Sequence, residues 1–360
     1  MRRFFARTGR WTIFFFLFII MLTVPCYAHA VSEPGDIDGD GRTGAADAAV
    51  LLRAVKSGAA EESSAFDVYD LTQNGRLDGV DARVLLSLSA GKIPNLVEFV
   101  EKNATGFLGE EEFDRFSYTG VEKGDGYYRS ADVSVTYTEY DENKLVYYIA
   151  DIWIRDISSF RTALSNGDNR GKYQTVPDMA AANDAVIAIN GDFYKARGDG
   201  PIVRNGTFLR SNYKARFDQC IMTNDGVITT YLRGAMKLDA IQALKPYQMW
   251  LFGPRLLDDD GNAMEKFNSP LTERNPRTVI GYYAPGHYCF ILVDGRQEGY
   301  SGGITLKDLS ALCFSLGLKA AYNVDGGQTS AMATADGLVS KPYRGGRILS
   351  DIVYISEPAA

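Results

Sequence analysis

The sequence predicts an α+β protein, with a small all-α unit followed by a mixed α/β domain on a largely buried sheet. Three observations point there. A twelve-residue acidic loop and its following helix occur twice, near residues 36 and 70. Uninterrupted apolar runs such as Ala185 to Ile189 and Tyr288 to Val293 read as strands covered on both faces. Only a few later segments show helical periodicity, so strands dominate residues 127–360.

Taken in chain order, residues 1–30 read as a signal peptide. Arg2, Arg3, Arg7 and Arg10 form a basic region, Thr12 to Val24 an apolar one, and Ala28-His29-Ala30 a small-x-small cleavage pattern. The apolar run is shorter than the roughly 20 residues of a spanning helix, although an uncleaved anchor is the alternative.

Residues 31–93 carry the repeat. Asp36, Asp38, Asp40 and Asp47 stand at loop positions 1, 3, 5 and 12, with Gly41 at the sharp turn and the Arg42 carbonyl at position 7. This is a calcium-loop pattern. The second copy places Asp70, Thr72, Asn74, Arg76, Asp78 and Asp81 at positions 1, 3, 5, 7, 9 and 12. It has fewer carboxylates at the early positions and is expected to bind the ion more weakly. Val50, Leu51, Ala54 and Val55 give the first following helix its apolar face, and Val84, Leu85, Leu86 and Leu88 the second.

Residues 94–126 read as linker and domain entry, and residues 127–360 as the larger domain. Strands are expected over Val133 to Tyr137, Leu145 to Ile149, Ala185 to Ile189, Tyr288 to Val293 and Lys319 to Tyr322. One helix is expected near Pro177 to Asn183. A second is expected from Leu306 to Leu316, with Thr305 as N-cap and Gly317 as its stop. Asp225-Gly226, Asp260-Gly261 and Asp336-Gly337 read as turns.

Charge and residue counts narrow the function. Without residues 1–30 the chain carries 38 − 4 = 34 basic against 45 acidic residues, a net of 34 − 45 = −11. That balance disfavours nucleic acid and stable attachment to an anionic membrane. Cys220, Cys289 and Cys313 lie largely in apolar runs and read as buried thiols, with one bridge as the alternative. His287 stands alone beside a strand, which leaves no basis for a histidine triad or zinc site.

Polar clusters follow the apolar strands: Asn190-Gly191-Asp192, Asp294-Gly295-Arg296 and Asn323-Val324-Asp325-Gly326-Gly327. Asn275-Pro276-Arg277-Thr278 precedes them in the same region. Acids and arginines released at strand ends tend to meet at one sheet edge, where layered α/β folds bind ligands. An anion-handling or sugar-handling site follows. The residues alone leave Asp294-Gly295 open between a hairpin turn and a site, and each Arg open between a structural pair and a ligand clamp.

The duplicated loop-helix unit resembles a dockerin, with Asp at position 12 of both loops. The resemblance implies structural calcium and a cohesin-bearing scaffold as partner. Leu145 to Ser356 resembles the phosphodiester glycosidase family, through the clusters above together with Asn205-Gly206, Phe252-Gly253-Pro254, Ser301-Gly302 and Arg347. Where the family commonly has Gly-Ser after its Asp-Gly-Gly, this chain has Gln328-Thr329-Ser330.

That resemblance implies a secreted hydrolase, extracellular or held at a cell surface through its scaffold. It would cleave the C1–O bond of a sugar-1-phosphodiester in a glycan, with no catalytic cofactor indicated. It implies Asp325, then Asp294, as catalytic carboxylates, and Arg277 and Arg347 as catalytic cations. Asn190, Gly191, Asp192, Asn275, Arg296, Ser301, Asn323, Gly326, Gly327, Thr329 and Ser330 are implied to bind substrate. Asn190, Arg277, Asp294, Asp325 and Arg347 are then expected to line one pocket. The rival readings are a non-catalytic carbohydrate-binding or scaffold-assembly protein, and a conventional polysaccharide glycosidase using Glu298 as acid.

Overall fold

A computed structural model describes residues 35–57, 69–71, 79–91, 96, 107–108, 112, 115–117, 120–167, 173–194, 200–212 and 216–358. The expected signal peptide lies outside the described residues, as do Thr72, Asn74, Arg76, Asp78 and most of the 94–126 segment.

The architecture is α+β. Helices α1 (Ala45–Ser57) and α2 (Gly79–Ser89) share one small core, in which Ala48 and Leu51 meet Ala82, Val84 and Leu85, with Leu71 and Leu96 alongside.

Three antiparallel sheets follow. The seven-stranded sheet runs β1 (Glu122–Gly124), β2 (Tyr127–Arg129), β3 (Val133–Glu142), β4 (Leu145–Ile154), β13 (His287–Val293), β12 (Arg277–Ala284) and β14 (Ala320–Asn323). Its first strand thus falls inside the segment expected to be linker and domain entry. A five-stranded sheet runs β10 (Ile228–Tyr231), β9 (Gln219–Met222), β11 (Gln248–Trp250), β7 (Ile202–Arg204) and β8 (Thr207–Arg210). The third sheet has the order β16 (Gly337–Leu338), β15 (Met332–Thr334), β6 (Ile187–Asn190), β17 (Asp351–Ile355) and β5 (Phe160–Leu164).

Strand β13 shows why these runs read as continuous. Phe290 and Leu292 face a core shared with Ile187, Ile189, Val353 and Trp250 of the other two sheets. Cys289, Ile291 and Val293 face the opposite way, onto Leu306, Leu309 and Cys313 of α5 (Leu306–Ser315). Both faces are dry, so alternation has no polar side to show, and each large apolar side chain contributes about 1.5–3 kcal/mol.

The expected caps are present. Thr305 Oγ1 accepts the Asp308 amide at 3.1 Å, and Gly317 ends α5 at φ +76°. Helix α3 (Val176–Ala182) starts after Thr175 and covers the third sheet through Val176, Met179 and Ala180. Helix α4 (Leu238–Leu244) was not expected; its N-cap, Lys237, makes no side-chain cap bond and so leaves no signature. No helix among the described residues is long and apolar enough to cross a membrane.

Antiparallel pairing places the site. Arg277 pairs with Val293 and Val279 with Asn323. The start of β12 therefore lies beside the ends of β13 and β14, bringing Arg277, Asp294 and Asn323 to one end of the sheet.

Candidate active site

Asn190, at the end of β6, is fully buried and ties two sheets together. Its Nδ2 donates to the carbonyls of Asp325 at 2.7 Å and Gly191 at 3.2 Å. Its Oδ1 accepts from Thr278 Oγ1 of β12 at 2.7 Å and from the Ala331 amide at 3.3 Å. One amide side chain thus fixes the Asp325 loop against both β6 and β12. Buried polar groups persist when fully paired in this way.

A pocket of about 170 Å³ opens beside that loop. Phe217, Phe252 and Leu271 provide apolar wall, while Asn275, Arg277, Arg296, Asn323 and Asp325 provide polar groups. Asp325 Oδ1 accepts the Gly326 amide at 2.9 Å. Its Oδ2 accepts Thr329 Oγ1 at 2.8 Å and Arg347 Nη2 at 3.2 Å. Burial raises the Asp325 carboxyl, and Thr329 and Arg347 pull it back. The Arg347 guanidinium also lies over the Phe193 ring, 5.1 Å from its centroid.

Arg277 has no carboxylate partner among the described residues. Its Nη2 donates to the carbonyls of Leu271 at 2.7 Å and Glu273 at 2.8 Å, and its Nε is buried without a partner. Burial, and then the neighbouring Arg296, pushes its guanidinium down to about 10. Arg296 is exposed and held by Asn275 Oδ1, at 3.1 Å from Nε and 2.8 Å from Nη2. Gly326 and Gly327 let the loop press close. A Cβ on Gly326 would stand 2.8 Å from the Pro276 carbonyl oxygen, and Gly327 sits at φ +69°.

Asn323 Nδ2 donates to the carbonyls of Gly253 and Val324, both at 2.9 Å, and leaves its buried Oδ1 without a partner. Ser330 Oγ is likewise buried and unpaired, so of the two hydroxyls after Gln328, Thr329 is the one bound to Asp325.

Other expected residues stand elsewhere. Asp294 does not line this pocket. Its Oδ2 accepts Tyr300 Oη and the Lys341 amide, each at 3.0 Å, its Oδ1 has no partner, and burial pushes it up to about 6. Ser301 Oγ donates to the Asp294 carbonyl at 2.7 Å and accepts the Val146 amide at 3.1 Å, pinning β13 to β4. Asp192 is 3% exposed. Its oxygens take Arg204 Nη2 at 2.7 Å and the Leu251 amide at 2.8 Å, and Arg204 also pairs with Asp351 at 3.0 Å. Gly191 serves through its backbone, whose amide donates to the Asp351 carbonyl at 2.9 Å. The expected five-residue lining therefore resolves into layers, with Arg277 and Asp325 at the pocket, Arg347 on Asp325, Asn190 beneath, and Asp294 apart. Glu298 is exposed in a turn and does not line the pocket. Of the apolar walls, Phe252 belongs to the Phe252-Gly253-Pro254 motif, while Phe217 and Leu271 carried no sequence signal beyond being apolar.

At the first acidic loop, carboxylate oxygens of Asp36, Asp38 and Asp40 lie within 4.8 Å of one another. Three hard oxygen donors at that spacing fit calcium. Asp47 stands outside the trio. Its Oδ1 accepts the Ile37 and Asp38 amides at 2.7 and 3.1 Å, and its Oδ2 the Gly44 amide at 2.6 Å, which caps α1 and closes the loop. The Arg42 amide donates to Asp40 at 2.8 Å. Of the second loop, Asp70 and Asp81 are described, and both are buried.

Comparison with known proteins gives matches in two separate stretches of the chain. Residues 183–356 match the family model described as phosphodiester glycosidase, and residues 34–87 match that of the dockerin type I domain. An uncharacterized SPbeta prophage-derived protein of Bacillus subtilis, YomE, is 27% identical over 193 residues, which is 51% of this chain. The match spans only 30% of that relative's length. Among solved structures, the zebrafish N-acetylglucosamine-1-phosphodiester alpha-N-acetylglucosaminidase catalytic domain, auto-inhibited by its pro-peptide, aligns with a TM-score of 0.50 at 17% identity. The alignment covers 63% of this chain and 83% of that one, and at this identity it speaks to fold alone. A hypothetical protein from Synechocystis aligns at 0.49 and 13%, covering 63% of this chain and 62% of its own.

Proposed function

We propose, from a chain in which a phosphodiester glycosidase region follows a dockerin type I region, that the protein hydrolyses a sugar-1-phosphodiester at its C1–O bond. The observation that carries this reading is Arg277, a buried cation beside a second cation, with no carboxylate partner among the described residues. Such a group is unfavourable in the empty pocket and becomes favourable when an anion arrives. A phosphodiester supplies that anion.

In this reading Arg277 and Arg296 hold the phosphate. Asp325, oriented by Thr329, Arg347 and the Gly326 amide, faces the anomeric carbon as the carboxylate that attacks it or activates water. The C1–O bond breaks towards the phosphate. Water adds hydroxyl to the sugar and a proton to the phosphomonoester. The leaving group already bears charge, so no buried general acid is needed. The isolation of Glu298 from the pocket favours this over a conventional glycosidase. Asp294 would act on the site only through Tyr300 and the Lys341 segment.

The dockerin region would hold calcium through Asp36, Asp38 and Asp40 and attach the enzyme to a cohesin-bearing scaffold outside the cell. The ion would act there as a fold-stabilising cross-link. The test is release of free sugar and phosphomonoester from a sugar-1-phosphodiester, without added phosphatase. Asp325→Asn should lower turnover on the order of a hundredfold or more at unchanged melting temperature. Near-normal turnover would remove Asp325 from the mechanism.

A further inference from the structure

A cationic track leads out of the candidate active site. Arg277 is buried in the pocket, and Arg296 lines it from an exposed position, near enough for its charge to weigh on Arg277. The next cation is Arg344, exposed and outside the pocket lining. The guanidiniums of Arg344 and Arg296 lie over one ring, that of Tyr343, at 5.1 and 5.9 Å from its centroid. The half-buried ring thus spaces two cations that would otherwise repel each other.

The backbone at Arg344 is strained. Its φ is +53°, in the left-handed region that favours glycine, and Gly345 and Gly346 follow at +75° and +83°. No internal contact uses the side chain beyond the Tyr343 ring, since its guanidinium makes no hydrogen bond or ion pair among the described residues. Strain at a position whose side chain serves nothing inside the molecule directs attention to what arrives from outside.

The segment that presents Arg344 is fixed at both ends. The Lys341 amide donates to Asp294 Oδ2 at 3.0 Å, and its carbonyl accepts Gln297 Nε2 at 2.8 Å. The Gly346 carbonyl accepts Gln328 Nε2 at 3.0 Å, and Arg347 Nη2 closes on Asp325 at 3.2 Å. Arg344 therefore holds a set place relative to the pocket.

Charge supplies the sign of the ligand. The whole chain is acidic, with a formal net charge of −7. Yet neither Arg296 nor Arg344 has a carboxylate partner among the described residues, and Glu298, in the turn after Arg296, pairs with neither. Arginines left without an acid attract anions, and the planar guanidinium matches the paired oxygens of a phosphate.

We propose that this track holds a second phosphate of the same ligand, so that the substrate is a glycan of repeating sugar phosphodiesters and not one isolated linkage. Arg277 and Arg296 take the scissile phosphate, and Arg344 takes the next one along. The proposal rests on the phosphodiester reading of the pocket. Nucleic acid, the other repeating phosphodiester, is disfavoured by the acidic balance of the rest of the chain.

The test is phosphorus NMR titration of the full chain with ligands that carry no sugar. Dimethyl phosphate offers one phosphodiester. The bis(methyl phosphate) diesters of propanediol, hexanediol and nonanediol offer two, at increasing separation. At least one of these longer ligands should bind roughly fivefold tighter than dimethyl phosphate at low salt, with the gain fading as salt rises. Arg344→Gly should erase the gain and leave dimethyl phosphate binding in place. Glycine suits the backbone at φ +53°, so this variant should melt no lower than the parent. Binding of dimethyl phosphate with no gain from any longer ligand would overturn this proposal and spare the reading of the pocket. No binding by any of the four would overturn both. A gain that survives in Arg344→Gly, or that dicarboxylates of matched length equal, would also overturn it.

Discussion

Replacing Arg277 by Met separates a ligand-binding cation from a structural one. The drop of its guanidinium from 12.5 to about 10 corresponds to about 3 kcal/mol of electrostatic cost in the folded chain. Arg277→Met removes that cost and keeps most of the volume. It also removes two hydrogen bonds, to the carbonyls of Leu271 and Glu273. Leu271 is 62% exposed, so water can replace the bonds in that loop at about 1 kcal/mol or less each. The net change in stability is then between about 1 and 3 kcal/mol in favour of the variant. Urea unfolding with and without inorganic phosphate measures both halves of the argument. Phosphate at roughly ten times its dissociation constant should stabilise the parent by about 1.4 kcal/mol and leave the variant unmoved. A variant weakened by about 3 kcal/mol or more, with the phosphate response intact, would show that Arg277 is a structural group and refute the reasoning.

Three other outcomes are expected. Asp294 is held near 6 by burial, above its ordinary 3.8, so the folded state holds its proton more tightly than the unfolded chain. Its contribution to stability is present below about pH 4 and falls as pH rises towards 6, by up to about 3 kcal/mol. Asp294→Asn should flatten that part of a urea-midpoint-against-pH curve, and an unchanged curve would remove Asp294 as its source. Asn190→Ala strips partners from Thr278, Ala331 and the Asp325 carbonyl, and should cost about 3 kcal/mol or more in urea unfolding, well beyond an ordinary surface substitution. Calorimetric titration of the chelator-treated chain with calcium should show two unequal sites, and Asp38→Ala should abolish the tighter one. Equal sites, or none at millimolar calcium, would contradict the loop assignment.

The sequence disclosed what local pattern encodes. Strand β13 and helix α5 announced themselves through uninterrupted apolar residues and a Thr305 to Gly317 frame. The Asp36 loop did so through carboxylate spacing. What stayed hidden depends on partners distant in the chain. Arg204 sits just before Asn205-Gly206 with no pattern that marks it, yet it is buried between Asp192 and Asp351, the latter 147 positions away. Asp192 therefore looks like a ligand group in sequence and is an interior ion partner in space. Asp294 and Asp325 follow similar strands, and only the path of the loops decides that one turns to Tyr300 and the other to Arg347. Helix α4 escaped because seven residues without a side-chain cap carry too little pattern.

The position of β17 has a consequence for how the molecule comes into being. It is the last strand in chain order, yet it lies between β6 and β5. During vectorial synthesis those two earlier strands must wait, each with an open edge, until residues 351–355 emerge between them. The same segment delivers Asp351 to Arg204 and its backbone carbonyl to Gly191. A chain truncated just before residue 351 would let the other two sheets pair while the third stays open, exposing the apolar faces of Ile187 and Ile189 to aggregation. Maturation of this domain is therefore gated by its tail, and a nascent chain should gain protease resistance in one late step rather than strand by strand.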